Sequence, residues 1–433
     1  MRSEAREVHE VQNIEAGAHS GGLTWRLVVT CALLTLVGIA LRVVILGVPP
    51  VLPLISHDLG LSYTATGLLT GLPILVMAGA AMAAGWLVTR IGARASVAWG
   101  LALLAAGAMA RGLWPEAVPL FVFTFLLSLG IAAGQTAVPV LTRQWFPLRI
   151  GVVSALFTDG LIIGETVSAG VTAPLMRQFF GGDGWAQTLI FWGVPVLVTL
   201  ALWLGFAPPA PVMRVAARKG EARTYDAASS EEDAGKGKTQ GRRVSAPHLG
   251  VMLGAGSLVY FGMNAWIPSY NAAVGRAALT PVALVALNAA QLPLSLAVTF
   301  VAQAWVGRKS PFIIAGLISV VAVIGWLVAP APLEPLWAAL MGASSALIFT
   351  LGFALPPLLA RPGEVARLTG MTLTLSYGLA FVGPLLGGAL WDRFGLPALA
   401  FLPVALAGGV LAVLAALLPP RAAFGALVNG KSS

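Results

Sequence analysis

Residues 85–96, GWLVTRIGARAS, form a short segment rich in glycine and arginine between two long apolar runs. A related segment, AQAWVGRKSP at residues 302–311, lies between two further apolar runs in the second half of the chain. In both segments a glycine is closely followed by basic residues. Because the two segments occupy matching places, they predict a chain built from two related halves.

The composition places these apolar runs in a membrane. Of the 433 residues, 58% are hydrophobic and only 10% are charged, with a mean hydropathy of +0.87. Soluble proteins carry about 25% charged residues, so we predict an all-α, multi-pass protein of the lipid bilayer. The net charge of +9 does not indicate nucleic acid, because the basic residues border apolar runs. With Cys31 as the single cysteine and four scattered histidines, we expect no disulfide, metal or cofactor.

Twelve apolar windows are long enough to cross a bilayer, which takes about 20 residues. They are residues 25–48, 66–89, 95–113, 117–141, 150–176, 186–206, 248–272, 281–304, 311–329, 335–360, 366–390 and 396–418. The ninth and tenth windows, 311–329 and 335–360, are separated from each other only by the short segment APAPLEPL. The sequence therefore predicts twelve transmembrane helices in two pseudo-symmetric six-helix halves.

The Lys and Arg residues predict the orientation. Of the 26, 21 fall in segments on one side of the predicted membrane, four on the other side, and Arg42 lies between. Basic residues accumulate on the cytoplasmic side, so both termini are predicted inside. The predicted regions are a cytoplasmic tail at 1–24, a six-helix bundle at 25–206, a cytoplasmic linker at 207–247, a second bundle at 248–418 and a cytoplasmic tail at 419–433.

Six helices, a linker and six helices resemble the plan of the major facilitator superfamily. GWLVTRIGARAS is similar to the signature G-x-L-x-D-R-x-G-R-[KR] of that superfamily, with Thr89 in place of Asp and Ala93 in place of Arg. The resemblance implies a gating role for these loops, in which arginines bind the carbonyl ends of neighbouring helices; positive-inside anchoring alone is the alternative. The candidate gating residues are Gly85, Arg90, Gly92, Arg94, Gly307 and Arg308.

A narrower likeness is to the cyanate/2-nitroimidazole porter branch of that superfamily. It is carried by ALRVVILGVPPVLPLI (40–55), LTGLPILVMAGAAMAAGWL (69–87), GAMARGLWPEA (107–117), GIAAGQTAVPVLTRQWFP (130–147), SLVYFGMNAWIPSY (257–270) and GPLLGGALWDRFG (383–395). The resemblance implies a secondary transporter for a small anionic or nitrogen-containing solute.

Arg42 is a permanent charge within an apolar run, where a charge is expensive unless it meets water or a partner. It lies 17 residues after Trp25, about 25 Å along a helix. Three interpretations remain open: snorkelling to the outer interface, a fixed ion pair, and binding of an anion. We favour anion binding, because a guanidinium offers a planar fork of donors and the branch resemblance implies an arginine here.

Two acidic residues in the fifth window, Asp159 and Glu165, are candidates for proton coupling. Glu165 matches the depth of Arg42 better and is the favoured partner and proton carrier. The two carboxylates are six residues apart, about 240° around a helix, so we expect at most one to face the same cavity as Arg42.

Polar side chains elsewhere in the apolar windows are candidates for the substrate-binding wall. If Pro50 and Pro268 are equivalent, Tyr260 mirrors Arg42. The candidate substrate-binding residues are Arg42, Tyr260, Asn264, Trp266, Gln135, Gln291 and Tyr377. For each, interhelical hydrogen bonding is the alternative role.

The sequence, together with what the resemblance implies, predicts a proton-coupled carrier of a small anionic or nitrogen-containing solute, working by alternating access in a bacterial inner membrane. Its expected partners are a small-molecule substrate, protons and the bilayer, and we expect a monomer. Two alternatives remain open: proton-coupled efflux of a neutral or weakly basic drug such as a nitroimidazole, and a transporter-like sensor. An enzyme is not predicted, because no grouping of metal ligands or of Ser, His and Asp occurs within the windows.

Overall fold

The computed structural model describes residues 21–146, 149–209, 246–297, 308–352, 355 and 365–418. Within these residues every regular element is a helix and no strand occurs. Most of both predicted tails and of the predicted linker, as well as Gly307, lie outside the described residues.

The first half contains six helices joined by short turns. They are α1 Gly21–Leu46, α2 Tyr63–Ile91, α3 Ala93–Leu113, α4 Ala117–Trp145, α5 Ile150–Phe179 and α6 Trp185–Phe206. A 3₁₀ turn, Pro49–Val51, and a short helix, Leu52–Asp58, extend α1 beyond its predicted end at residue 48. Pro49 and Pro50 have no N–H to donate, so the α-helical pattern stops there and resumes at Leu52.

The second half repeats this arrangement. Its helices are α7 Ala246–Ala273, α8 Thr280–Ala289, α9 Ser310–Val328, α10 Glu334–Gly352, α11 Val365–Phe394 and α12 Leu402–Ala416. After a turn at Ala290, residues 291–297 continue α8, and a 3₁₀ turn at Ala331–Leu333 separates α9 from α10. Twelve stretches of the described chain are long and apolar enough to span a membrane, so the predicted count of twelve is confirmed.

Each half has its own apolar core. One core cluster is drawn mainly from α1, α3, α4 and α6 and includes Trp192 and Trp203. The other is drawn almost entirely from α7–α12 and includes Trp266 and Trp326. Large apolar side chains also cover the outside of the bundle, among them Met82 at 88% exposure and Trp99 at 66%. An apolar exterior of this kind is what lipid contact requires.

Helices α1 and α5 approach each other through glycines, and this contact sets the position of the central residues. A Cβ atom at Gly38 would collide with the backbone carbonyl of Phe157, and one at Gly160 would collide with that of Thr35. At Gly164 the neighbour is the carbonyl of Ile39. Small residues at such a contact let two helix backbones touch.

Replacing Gly160 by alanine is expected to lower the free energy of unfolding by about 1–3 kcal/mol, because the added methyl overpacks the α1–α5 contact. The matched control is Gly151→Ala on the same helix, where a Cβ meets nothing within 4 Å. Thermal unfolding of the purified protein in detergent measures both. Equal melting temperatures for the two variants would contradict the close packing described here.

Candidate functional site

A cavity of about 560 Å³ lies between the two halves. It reaches Ser154, near the start of α5, and the exposed Ala155. It therefore opens toward the end of the bundle where α6 ends and α7 begins, called here the linker end. Seven residues predicted for binding or proton coupling line it: Arg42, Gln135, Asp159, Glu165, Tyr260, Gln291 and Tyr377.

An ion pair joins α1 to α5 at the wall of this cavity. Arg42 Nε lies 3.4 Å from Glu165 Oε1, and the two side chains are 9% and 6% exposed. Arg42 Nη1 is buried without a hydrogen-bond partner. Gly164 precedes Glu165 and lets α1 come close enough for the pair to form. The guanidinium is thus held on one side and has donating capacity left on the other.

A hydrogen-bond network in the second half reaches the same cavity. Tyr260 donates its hydroxyl proton to Asn288 Oδ1 at 2.6 Å, and Asn288 Nδ2 donates to Asn264 Oδ1 at 3.0 Å and to the Leu284 carbonyl at 2.8 Å. Asn264 Nδ2 in turn donates to the Tyr260 carbonyl at 3.1 Å. These bonds hold the Tyr260 ring rigidly at the cavity wall.

The pair and the network meet at Glu165. The Tyr260 hydroxyl and the Gln291 side chain both interact with its carboxylate. On the remaining wall, Tyr377 of α11 interacts with Gln135 of α4 and lies in the field of Arg42. Polar groups from α1, α4, α5, α7, α8 and α11 therefore converge on one region of an otherwise apolar bundle.

The expectation that at most one of Asp159 and Glu165 faces this cavity is wrong. Both line it, Glu165 at its buried end and Asp159, partly exposed, nearer the linker end. The helical angle between them is as calculated, but the lining of the cavity is not confined to one face of α5. It includes Phe157, Leu161 and Ile162 as well as the two carboxylates.

Two other predicted residues do not line this cavity. Trp266 is fully buried in the core of the second half, tilted against Trp391 at a ring distance of 5.7 Å. Asn264 supports the Tyr260 network and lines a separate, narrow cavity nearer the opposite end of the bundle. Both residues come shortly after Tyr260 on α7. Because α7 is almost entirely enclosed by neighbouring helices, its polar residues face several directions, and only some of them face the cavity.

The candidate gating residues that the structure describes lie at the linker end. Gly92, with φ of +85°, ends α2 in a conformation that favours glycine. Arg94 Nη2 donates to the Leu204 carbonyl near the end of α6 at 3.4 Å, and Trp203 Nε1 donates back to the Arg94 carbonyl at 3.1 Å. The Arg90 guanidinium lies 5.3 Å above the Trp86 ring. Gly85 has open space where a Cβ would stand, and Arg308 is exposed.

A polar seam between the halves closes the opposite end of the bundle. Asp392 of α11 accepts hydrogen bonds from the backbone N–H groups of Tyr63 and Thr64 at 2.9 and 2.7 Å, and from the Thr64 hydroxyl at 2.5 Å. These N–H groups belong to the first turn of α2 and have no partner within the helix. Tyr63 also stacks on Trp391 with ring centroids 3.9 Å apart. Asp392 lies within the segment GPLLGGALWDRFG that carries the branch resemblance, but no role was predicted for it.

Arg111 is a second residue whose place the sequence did not indicate. It is one of the four basic residues predicted on the outer side of the membrane, but the side chain is only 1% exposed. Arg111 Nη2 donates to the Val44 carbonyl of α1 at 3.1 Å. It also lines the narrow cavity near the opposite end, together with Thr70, Thr124 and Asn264.

A twelve-helix bundle with a polar cavity between its halves, open toward one end and sealed at the other, is the architecture of a membrane transporter. The sequence matches the Major Facilitator Superfamily over residues 28–381. The chain therefore belongs to that superfamily; it is a transporter and not an enzyme.

Relatives and solved structures agree with this assignment. The chain is 28% identical to the cyanate transport protein CynX of Escherichia coli over 82% of its own length and 88% of that protein. It is 28% identical to a 2-nitroimidazole transporter of the same organism over 85% and 89% of the two chains. A D-xylose-proton symporter structure shares the fold with a TM-score of 0.72 at 16% identity, covering 93% of this chain and 99% of that one.

Asp392→Asn is expected to loosen the seam, because the neutral amide gives up charge-assisted hydrogen bonds to α2. In a Cys31→Ser background carrying Thr70→Cys, a membrane-impermeant thiol reagent added on the side of the sealed end should react several-fold faster. Asp183→Asn, an exposed carboxylate in a turn at the same end, is the control and should leave the rate unchanged. A rate that is the same in Asp392→Asn and its parent would show that this carboxylate does not hold the end shut.

Proposed function

We propose that this transporter carries a small monovalent anion together with a proton, with Arg42 as the anion-binding group and Glu165 as the proton carrier. The observation that supports this most directly is the buried pair at the cavity wall. Arg42 and Glu165 are 3.4 Å apart, while Arg42 Nη1 has no hydrogen-bond partner. A guanidinium remains charged at physiological pH, so it needs a negative charge beside it at every stage.

The pair links anion binding to proton binding. While Glu165 is a carboxylate, it neutralises Arg42 and competes with any other anion. Once Glu165 takes up a proton, its charge is gone, and an anion from the cavity can replace it beside the guanidinium. The two ligands then bind together, since an isolated charge at this depth is unfavourable. By thermodynamic linkage each ligand strengthens the binding of the other.

The hydroxyl of Tyr260 supports a protonated state of Glu165 in the cycle. The Leu284 carbonyl can only accept, so it orients the Asn288 amide and leaves Oδ1 to accept from Tyr260. A tyrosine hydroxyl has one proton, and here it is given to Asn288. Toward Glu165 the hydroxyl offers only lone pairs, which can accept a proton from a carboxylic acid but cannot donate to a carboxylate.

The class of substrate follows from the lining and from the relatives. One guanidinium, the hydroxyl of Tyr377 and two amides offer donors to a compact anion without adding further positive charge. Relatives that carry cyanate and 2-nitroimidazole support a small anionic or nitrogen-containing solute. We further propose that the linker end faces the cytoplasm of a bacterial cell, in the inner membrane, and that the protein works as a monomer with the loops at 85–94 and 307–308 as gates.

A second candidate is proton-coupled efflux of a neutral or weakly basic compound such as a nitroimidazole. One observation favours it: Asp159 lines the cavity, as do the apolar side chains of Phe157 and Leu161. A weak base would bind there to the carboxylate, with Arg42 serving only as the counter-ion of Glu165.

Arg42→Gln is expected to abolish binding of small anions in the central cavity. Purified wild-type protein should be stabilised against heat by cyanate or thiocyanate and not by gluconate, and the variant should lose most of this stabilisation. Arg177→Gln, the same substitution at an exposed arginine near the end of α5, is the control for general damage and should keep the stabilisation. Undiminished stabilisation of the Arg42→Gln variant by the same anions would contradict the assignment of Arg42 as the anion-binding group. Stabilisation by nitroimidazoles alone would favour the efflux candidate.

Glu165→Gln is expected to separate anion binding from protons. In the wild type, thiocyanate should bind more tightly as the pH falls, because a proton on Glu165 frees Arg42. The glutamine mimics the protonated acid, so the variant should bind with pH-independent affinity and exchange anions across a vesicle membrane, but it should not accumulate them along a pH gradient. Asp159→Asn should retain the pH dependence. A pH dependence unchanged in Glu165→Gln would refute the coupling role.

A further inference from the structure

We propose that the narrow cavity around Arg111 is a second anion site, which holds the transported anion when the bundle opens at its sealed end. The inference rests on the proposed anion transport and extends it from the central cavity to the other half of the path. It would give the carrier one guanidinium for each side of the membrane.

Arg111 is a buried charge for which the structure shows no counter-ion. It is 1% exposed, and within the described residues no carboxylate lies at ion-pair distance from it. Its Nε is buried without a hydrogen-bond partner. Charged groups that are fully buried are ordinarily paired, so an unpaired guanidinium facing a cavity indicates a charge supplied from outside the chain.

The contact of Arg111 with α1 uses only part of the hydrogen-bonding capacity of the guanidinium. Where α1 breaks before Pro49, Val48 N donates to the Ile45 carbonyl, and the Val44 carbonyl accepts from Arg111 Nη2 instead. This bond uses one of the five N–H groups of the guanidinium. A residue present only to complete the end of α1 would not require a permanent charge.

The lining of the cavity suits a compact anion. Thr124, on α4, is 2% exposed, and its hydroxyl has no hydrogen-bond partner. It lines the cavity together with Arg111 and Thr70, and no acidic residue belongs to the described lining. The cavity measures about 30 Å³ in this closed state, room for one or two waters. Only a small linear or planar monovalent anion fits with modest widening.

The cavity lies on the path that leads from the central site. Ile45, three residues after Arg42, lines it, which places the two sites about 5 Å apart along α1. Phe261 lines both cavities, and Asn264 connects the narrow cavity to the network that holds Tyr260. An anion leaving Arg42 toward the sealed end therefore meets Arg111 next.

The test uses the full chain with Cys31→Ser in vesicles, with one reporter cysteine for each cavity. Thr70→Cys reports on the narrow cavity and Ala155→Cys on the central one. Thiocyanate is the probe, because it is linear and monovalent, with gluconate at equal ionic strength as reference. Modification by an impermeant thiol reagent is timed from the sealed side for Thr70→Cys and from the linker side for Ala155→Cys.

We expect thiocyanate to slow modification of Thr70→Cys several-fold, and Arg111→Gln to remove this protection while Arg42→Gln leaves it in place. Thr124→Val should weaken the protection, whereas Thr142→Val should not. Thr142 is also buried on α4 with an unpartnered hydroxyl, but it lines the central cavity. This pair of variants decides the question if Arg111→Gln does not fold.

The two proposals fail differently. Absence of thiocyanate protection at Ala155→Cys, or its survival in Arg42→Gln, counts against the proposed function. Protection that depends on Arg42 at Ala155→Cys, combined with no protection at Thr70→Cys, overturns only the second site. Protection at Thr70→Cys that is undiminished in both Arg111→Gln and Thr124→Val also overturns only the second site. In that case Arg111 serves as a structural cap of α1.

Discussion

The buried contact between Arg42 and Glu165 is the constraint on which the rest of the site depends. Two opposite charges 3.4 Å apart within an apolar bundle are tolerable only as a pair, since removing either leaves an uncompensated charge. Their distance requires that the backbones of α1 and α5 touch, and the glycines at 38, 160 and 164 make that contact possible. Packing and electrostatics are therefore specified by the same short stretches of sequence.

The difference between the two ends of the bundle also has a physical cause. At the sealed end α2 and α11 meet through Asp392 and the first turn of α2, a polar contact on the exposed side of the seam. Such a contact can be exchanged for water at modest cost, unlike an apolar core. The core clusters, in contrast, lie almost entirely within one half or the other. A seam of exchangeable bonds between two rigid halves suits a protein that must alternate between open ends.

Several site residues were predictable and others were not, for reasons that differ. The depth of Arg42 and Glu165 follows from counting residues along two helices, and the structure does bring these side chains together. Trp266 was expected at the cavity as one of the polar side chains deep in the same predicted helix as Tyr260. It instead packs in the core, because α7 is surrounded on nearly all sides and its sequence does not indicate which side is the cavity.

The sequence by itself determined the twelve spans, the two halves and the family, because hydropathy and turn residues act locally and the membrane converts apolar length into a helix. Only the tertiary structure decided which side chains share a space. Arg111 is close to the end of its helix in sequence, yet it is enclosed because α1 and α4 pack over it. Asp392 and Tyr63 are 329 positions apart, and Asp159 joins Glu165 at the cavity because its lining takes in more than one face of α5. Helix tilt, rotation and cavity shape arise from the packing of all the helices together, and no local pattern encodes them.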